Sequence, residues 1–223
     1  MKRIDCPQYS PEWWTARLGV PTASNFAKII TPAKGDRSTS DDGYIAELIA
    51  DHFDPYYGCP EDYITDAMRR GTEMEPEARN FYAFERGLDV EQVGFCLTDD
   101  GHFGASPDGM PGEGALELKC PLRKTQVEYL LGGVLPTKYK PQCHGHLVVT
   151  GAPWCDFMAY CPGMPPLLKR VEPDDYTEKL RDALAAFWIK YRSAVARIEE
   201  LRGEPLPRPT PPAMVERDTS HVF

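Results

Sequence analysis

The chain has 223 residues and a formal net charge of −9, with 42% hydrophobic and 26% charged residues. This composition is typical of an ordinary globular protein and excludes disordered, collagen-like and membrane classes, since no apolar run approaches the roughly 20 residues of a spanning helix. The acidic excess also argues against a protein that coats nucleic acid by bulk charge, because phosphate binding requires positive charge at the contact. A function on nucleic acid therefore requires basic side chains that are segregated at one place.

The cysteines and the N-terminus indicate the compartment. The seven cysteines are scattered without a CxxC pair, which favours reduced thiols that pack as small hydrophobic residues over a disulfide framework or a zinc or iron–sulfur site. The residues before Pro11 lack the apolar core of a secretory signal, so we expect the mature chain to begin at Met1. We therefore expect a cytoplasmic protein.

Helical signals dominate the first 87 residues. Ser10 is placed to cap a helix that has Pro11 at its first position and Gly19 after its end. Further helices are expected from Thr22 to about 30, from Tyr44 to about 53, and within 61–87, where Gly71 and Pro76 interrupt the pattern. Turn-forming residues at 33–42 and 54–60 predict the loops between them.

Short strands are predicted from residue 90 onwards. They are expected at Val90–Leu97, His102–Ala105 and Ala115–Lys119 and, after helices at 122–135 and 138–149, at Trp154–Tyr160 and Leu167–Val171. The longest apolar periodicity predicts a helix over Asp174–Leu201. Five prolines follow Gly203 and exclude a helix there, so we expect one domain over 1–203 and an extended or disordered tail over 204–223.

The strand at 115–119 carries the chemistry that stands out. Glu117 and Lys119 point to one face of a strand, while Leu116 and Leu118 point to the other. Asp108 lies nine residues before Glu117, a length that allows the loop to fold back and bring the carboxylates together. Converging carboxylates bind Mg²⁺ or Mn²⁺, and an adjacent lysine can act on an attacking water and offset phosphate charge. Taken alone, the triplet is equally compatible with an ordinary surface Glu/Lys pair.

The run from Ser106 to Pro121 resembles the catalytic block of the phage lambda exonuclease and YqaJ-type viral recombinase family, a branch of the PD-(D/E)XK nucleases. Further blocks match in order: Trp13–Ser24 with its arginine and serine, Arg70–Arg79 with its glutamate, and Gln142. The matching blocks span residues 13 to about 150. The resemblance implies an α/β fold with a restriction-endonuclease-like core, in which a central mixed β-sheet is flanked by α-helices.

The resemblance also assigns roles to individual residues. It implies that two Mg²⁺ ions, for which Mn²⁺ can substitute, are bound by Glu75, Asp108, Glu117 and the backbone carbonyl of Leu118, with Lys119 and Gln142 acting on the attacking water. It implies that Arg17, Ser24 and Ser106 receive a terminal 5′-phosphate. A second basic residue joins this pocket in the family, and here either Lys34, by an ungapped count, or Arg37 stands for it.

The activity implied is a Mg²⁺-dependent 5′→3′ exonuclease that acts on double-stranded DNA ends, releases 5′-mononucleotides and leaves a 3′ overhang for recombination. The family works as a trimeric ring, hands the overhang to a single-strand annealing protein and, when phage encoded, resides in the bacterial host cytoplasm. One alternative is a structure-specific endonuclease on the same fold, because a metal site does not fix polarity. Another is a catalytically silent DNA-end-binding scaffold. The complete set of acidic residues and the lysine argues against this alternative.

Two features depart from the family pattern. Related nucleases often have a tyrosine four residues after the glutamine, where this chain has His146. His144 and His146 cannot share a helix face, and we expect a structural or solvent-facing role for the pair in preference to a DNA or metal contact. The Pro-rich tail has no counterpart in the resemblance.

Overall fold

The computed structural model of the protein describes residues 1–53 and 66–207, with the backbone alone for 66–68. The loop expected at 54–60, the helix start expected at 61 and the tail beyond 207 lie outside the described residues. None of the helices in the described part combines the length and the apolar character that crossing a membrane requires.

The helices largely follow the sequence pattern. They are α1 (Pro11–Arg17), α2 (Asp41–Ala50), α3 (Asp66–Arg86), α4 (Arg123–Gly132), α5 (Lys140–Thr150) and α6 (Asp175–Arg202), with 3-10 helices at Ala23–Lys28 and Thr137–Tyr139. Ser10 caps α1 by accepting a hydrogen bond from the Trp13 amide at 3.3 Å, as predicted. The expected helix after Thr22 forms as a short 3-10 helix, because Pro21 and Pro32 leave it little length. Over its described length α3 is one helix despite Pro76.

The strands form three sheets. They are β1 (Lys2–Ile4), β2 (Val90–Glu91), β3 (Phe95–Leu97), β4 (Gly104–Ala105), β5 (Met110–Pro111), β6 (Ala115–Lys119), β7 (Cys155–Ala159) and β8 (Leu167–Val171). β1, β3 and β4 form one antiparallel sheet and β2 pairs with β5, while β6 and β7 are parallel and β7 and β8 antiparallel. The single strand expected at Val90–Leu97 is wrong: β2 and β3 belong to different sheets. Between them Gly94 passes so close to the end of β1 that a Cβ would lie 2.7 Å from the Ile4 carbonyl oxygen and 2.2 Å from that of Cys6.

The mixed sheet β6–β7–β8 lies between helices, which confirms the expected fold class. Leu116 and Leu118 pack with Tyr82 of α3 on one face, whereas Ala115 packs with Leu147 of α5 on the other. The alternation predicted along β6 is therefore observed. Glu117 and Lys119 consequently lie on the α5 side of the sheet.

Helix α5 connects the sheet to the N-terminal part of the chain. It packs on the 3-10 helix Ala23–Lys28 and on α6 as well as on β6 and β7. Gly145 allows this approach, because a Cβ there would lie 2.8 Å from the Cβ of Ala23 and from the ring of Phe26. His144 ties α5 to α6 through a 2.8 Å contact between its Nδ1 and Thr177 Oγ1. Through α5, the segment that carries Ser24 is held at a fixed distance from β6.

The last helix ends where the sequence predicts. Gly203 terminates α6 with a φ of 74°, and the following residues turn back, with the Leu206 amide donating to Glu199 at 3.0 Å. The Pro207 carbonyl lies 3.0 Å from His52 Nδ1. The domain boundary at 203 and the extended tail remain predictions, since 208–223 lie outside the described residues.

We expect Gly145→Ala to lower the free energy of unfolding by about 1–3 kcal/mol, because the added methyl group forces α5 away from the 3-10 helix. Gly132→Ala is the matched control: it is also helical, but no atom lies within 4 Å of its added Cβ, so it should be neutral or stabilising by up to about 1 kcal/mol. Urea unfolding measures both. Equal effects of the two substitutions would contradict the close packing at Gly145.

Candidate active site

The loop before β6 folds back onto the strand, as the spacing of Asp108 predicts. The Asp108 amide donates to the Leu116 carbonyl and the Leu116 amide donates to the Gly109 carbonyl, both at 2.9 Å. The Leu118 amide then donates to Asp108 Oδ2 at 2.6 Å. These bonds hold the Asp108 carboxylate against the backbone of β6, beside Glu117.

Glu117 is the buried centre of the site, with 1% of its surface exposed. Its Oε2 accepts a hydrogen bond from His146 Nε2 at 2.7 Å, and its Oε1 forms an ion pair with Lys119. The ammonium of Lys119 also lies over the ring of Tyr139, 5.5 Å from its centroid. His146 Nδ1 is buried without a hydrogen-bond partner in the described part of the chain. The imidazole ring therefore carries its proton on Nε2 and donates it in the hydrogen bond to Glu117.

Helix α3 brings a third carboxylate and an arginine to the same place. The Tyr9 hydroxyl lies 3.3 Å from Glu75 Oε1 and donates to it. One turn further on, Arg79 Nε donates to the Asp108 backbone carbonyl at 2.7 Å. A cleft of about 460 Å³ opens here, lined by Tyr9, Glu75, Arg79 and Asp108 among others.

The electrostatics of the cluster are unbalanced. Burial raises the pKa of Asp108 well above its usual range, and the charge of Glu117 adds to the effect; burial also raises the pKa of Glu75. Burial acts on Glu117 in the same direction, but Lys119 and His146 outweigh it and lower the pKa of that carboxyl. Burial would lower the pKa of Lys119, yet Glu117 and Asp108 outweigh it and raise it. Three carboxylates therefore share the charge of one lysine ammonium, and Arg79 adds its charge at Glu75.

This donor set fits a hard divalent cation. In the described part of the chain, no three His, Cys, Asp or Glu side chains come close enough to enclose a metal by themselves. Mg²⁺ needs only one or two carboxylates and completes its shell with water and phosphate oxygens. Oε1 of Glu117 is buried and lacks a well-oriented hydrogen bond. Asp108, Glu117 and Glu75 are thus suited to hold Mg²⁺ or Mn²⁺.

A half-buried cation lies near the carboxylates, on the chain segment that contacts Ser106. The Arg17 guanidinium stacks 4.2 Å from the Trp13 ring centroid and donates to Ser106 and Ser24, both at 3.4 Å. Trp13 Nε1 donates to the same Ser106 hydroxyl at 2.8 Å. Burial lowers the pKa of Arg17 to about 10, so it remains charged at neutral pH. Within the described residues no carboxylate forms an ion pair with it. A guanidinium surrounded by hydroxyls and without a counter-ion is suited to bind an anion.

Other residues expected at the site lie apart from it or have no partner. Lys34 is exposed, and its carbonyl accepts from Lys179 Nζ at 3.2 Å. Arg37 pairs with Asp41 at 2.6 Å. Neither basic side chain contacts the Arg17 pocket. Gln142 lies half-buried on α5, and in the described part its amide has no hydrogen-bond partner.

The structure distinguishes the two histidines and brings to the site a tyrosine that the sequence did not indicate. His144 and His146 face different ways, as expected, and both are buried, so a solvent-facing role is wrong for the pair. His144 is structural, whereas His146 holds Glu117. His146 follows Gln142 by four residues, so the two side chains share one face of α5. This spacing is the sequence signal that could have placed His146 at the site. No sequence signal singled out Tyr9.

Comparisons with known proteins identify the family and the fold. The sequence matches the YqaJ-like viral recombinase domain over residues 12–153. The structure is similar to LHK-Exo, an alkaline exonuclease from Laribacter hongkongensis, with 33% identity, a TM-score of 0.75 and coverage of 87% of this chain and 98% of that chain. The same protein in complex with dAMP matches with 32% identity, the same TM-score of 0.75 and the same coverage, 87% and 98%. A search of curated proteins finds no match.

A structure with much lower sequence identity shares the fold. A phage-related exonuclease from Haemophilus somnus 129PT has a TM-score of 0.61 at 12% identity and covers 80% of this chain and 96% of that one. At this level of identity the likeness concerns the fold alone.

We expect Asp108→Asn to raise the Tm of the metal-free protein by a few degrees at pH 7. The pKa of Asp108 is higher in the folded state than in the unfolded chain, so its stabilising contribution is present below the unfolded pKa and is lost as pH rises through the raised value. Asparagine removes the charge but can still accept from the Leu118 amide. Thermal unfolding in EDTA between pH 4 and pH 8 measures the effect.

In that experiment the exposed Asp182→Asn is the control and should leave the Tm unchanged at each pH. The wild-type Tm should fall with rising pH more steeply than the Tm of Asp108→Asn. A Tm of Asp108→Asn at or below that of wild type would contradict the description of Asp108 as a carboxyl group whose ionisation is disfavoured by burial and by Glu117.

Proposed function

Because the chain belongs to the YqaJ-like viral recombinase family, we propose that it is a metal-dependent 5′→3′ exonuclease that degrades one strand of linear double-stranded DNA. It releases 5′-mononucleotides and leaves a 3′ overhang for recombination. The observation that carries this proposal is the uncompensated Arg17 pocket next to the carboxylate cluster. The crystallisation of the related LHK-Exo with the mononucleotide dAMP supports it.

The spacing of the two subsites supports attack from a 5′ end. Ser106 belongs to the Arg17 pocket, which Arg17 forms with Ser24 and Ser106, and Asp108 belongs to the carboxylate cluster. Two residues of chain span at most roughly 7 Å, a separation that one nucleoside spans. A terminal 5′-phosphate on Arg17 would place the next phosphate at the carboxylates, and hydrolysis there releases one mononucleotide. An endonuclease would not need a pocket for a terminal phosphate.

The described residues divide the chemistry among them. Glu75, Asp108, Glu117 and the Leu118 carbonyl would hold two Mg²⁺ ions, or Mn²⁺ in their place. When bound, the two ions supply charge stabilisation to the attacking and leaving oxygens. Lys119 keeps its proton, offsets the carboxylates and orients the attacking water from the face that it shares with Glu117.

Two residues of α5 support this arrangement. Gln142 has an amide without a partner in the described part of the chain and is one helical turn from His146, so it is available to hold the attacking water. His146 fixes the orientation of the Glu117 carboxylate. The helix that connects the two halves of the fold would thus also connect the water to the metal ligand.

The distribution of positive charge is consistent with a DNA path across the site. Arg70 lies at the end of β6, where its Nη1 is 3.3 Å from the Cys120 and Pro121 carbonyls, and Lys138 lies over the Tyr139 ring. In contrast, Arg3, Lys28 and Lys190 are held in ion pairs with acidic side chains elsewhere. We propose that the basic residues near β6 follow the DNA backbone.

The assembly and the biological context are carried over from the resemblance. We propose a homo-oligomer, with a trimeric ring as in the family, that hands its overhang to a single-strand annealing protein in the host cytoplasm. The exposed apolar side chains of α4 support an interface: Leu131 is 84% and Val127 44% exposed. Large apolar side chains exposed together mark interaction surfaces.

The first test is degradation of a linear duplex that carries a 5′-phosphate and a 3′-end label on the same strand. With Mg²⁺ we expect successive shortening of that strand from its 5′ end and release of 5′-mononucleotides. EDTA or Asp108→Ala should reduce the rate by at least about 1,000-fold, because charge stabilisation of the phosphate is lost. A closed circular duplex should remain intact. Cleavage of the circle would favour an endonuclease, and full activity of Asp108→Ala would refute the proposed site.

The second test addresses His146. Replacing it with alanine frees Glu117 Oε2, and loss of such a supporting bond to a metal ligand typically weakens metal affinity by about 10–100-fold. We therefore expect His146→Ala to raise the Kd for Mn²⁺, measured by titration calorimetry without DNA, by a factor in that range. His144→Ala is the control on the same helix: it should reduce thermal stability and leave the Mn²⁺ affinity unchanged. Equal Mn²⁺ affinities of wild type and His146→Ala would disprove the role.

A further inference from the structure

Tyr9 has the most unusual backbone of the described part of the chain. Its φ of 68° is the sole positive value there outside glycine. A bulky residue in the left-handed region is strained, and such strain persists only where the surroundings enforce it and is concentrated at functional sites. The segment is held by the Ser10 amide, which donates to the Pro7 carbonyl at 3.1 Å. The strained backbone projects the aromatic ring of Tyr9 into the cleft that Asp108 lines.

The side chain of Tyr9 connects the two halves of the site. Its ring centroid lies 5.2 Å from that of Trp13, the residue that holds both Arg17 and Ser106. At the other end its hydroxyl donates to Glu75. Tyr9 therefore lies along the line from the Arg17 pocket to the carboxylates.

The contacts of Tyr9 leave one part of the residue unused. Its hydroxyl already donates to Glu75 Oε1, at 3.3 Å. The hydroxyl is thus committed to the carboxylate, while 46% of the residue remains exposed. A half-exposed aromatic ring beside a phosphate pocket is the kind of surface on which nucleic-acid bases stack.

We propose that the ring of Tyr9 stacks on the base of the 5′-terminal nucleotide and so holds that nucleotide between the Arg17 pocket and the metal-binding carboxylates. This inference rests on the proposed exonuclease function and adds a residue that recognises the nucleoside rather than its phosphates. Stacking uses a face that every base has, so the contact tolerates any sequence, as an exonuclease requires.

The test pairs a change in the protein with a change in the substrate. The protein variants are Tyr9→Leu, which removes the ring, and Tyr9→Phe, which keeps the ring and loses the bond to Glu75. The substrates are 5′-phosphorylated duplexes whose terminal nucleotide either carries its base or is an abasic tetrahydrofuran residue. The rate constant for release of the first nucleotide is measured under single-turnover conditions. Phe84→Leu, which removes an exposed aromatic ring from the far end of α3, is the control and should match wild type.

If Tyr9 stacks on the terminal base, the loss of rate caused by Tyr9→Leu and the loss caused by the abasic end are not independent. Wild type should release the abasic residue about ten-fold more slowly than the normal one, which is the scale of one base stacked on an aromatic ring. Tyr9→Leu should be about ten-fold slower on the normal end and lose little more on the abasic end. Tyr9→Phe should keep the ten-fold preference for a base, whatever its absolute rate.

Independent, multiplying losses on Tyr9→Leu and the abasic end would overturn the inference, and so would a wild-type rate for Tyr9→Leu. Both results leave the exonuclease itself intact. If wild type released nothing from either end in Mg²⁺, the proposed function would fail, and this inference with it. Thermal unfolding of each variant separates loss of folding from loss of stacking. Leucine and phenylalanine are non-glycine residues like tyrosine, so both variants keep the same backbone strain at position 9.

Discussion

Three buried or half-buried carboxylates that share one ammonium are the constraint on which the rest of the structure depends. Glu75, Asp108 and Glu117 lie together around Lys119, and two of the three have raised pKa values. Such crowding costs stability and persists in proteins chiefly where it serves a function. Bound as proposed, divalent cations would remove the imbalance, and part of the net charge of −9 would then belong to a neutralised site.

The fold can be understood as the means of bringing these charges together. β6 supplies Glu117 and Lys119, the loop before it supplies Asp108 through backbone hydrogen bonds, and α3 supplies Glu75. α5 completes the arrangement from the opposite side, where His146 holds Glu117 and the packing of Gly145 holds the Ser24 segment. The negative cluster and the positive Arg17 pocket are therefore joined by the same packed elements, as the proposed exonuclease mechanism requires.

The parts of the site that are local in sequence were predictable, and those that depend on tertiary contacts were not. The shared face of Glu117 and Lys119 follows from strand alternation, and the position of Asp108 follows from loop length. The bond between His146 and Glu117 joins residues 29 apart, and its geometry depends on how α5 packs on the sheet. The separation of β2 from β3 depends on the close passage of Gly94 against β1, which has no signature in the local pattern. The positive φ of Tyr9 was equally invisible, because tyrosine carries no preference for it.

The central claim is that a pair of divalent cations completes the carboxylate cluster, and anomalous diffraction from crystals grown with Mn²⁺ tests it most directly. We expect two anomalous peaks, one between the carboxylates of Asp108 and Glu117 and one beside Glu75, both absent from crystals of Asp108→Ala grown in the same way. Full occupancy of Mn²⁺ elsewhere on the chain, with no peak among these three carboxylates, would contradict it.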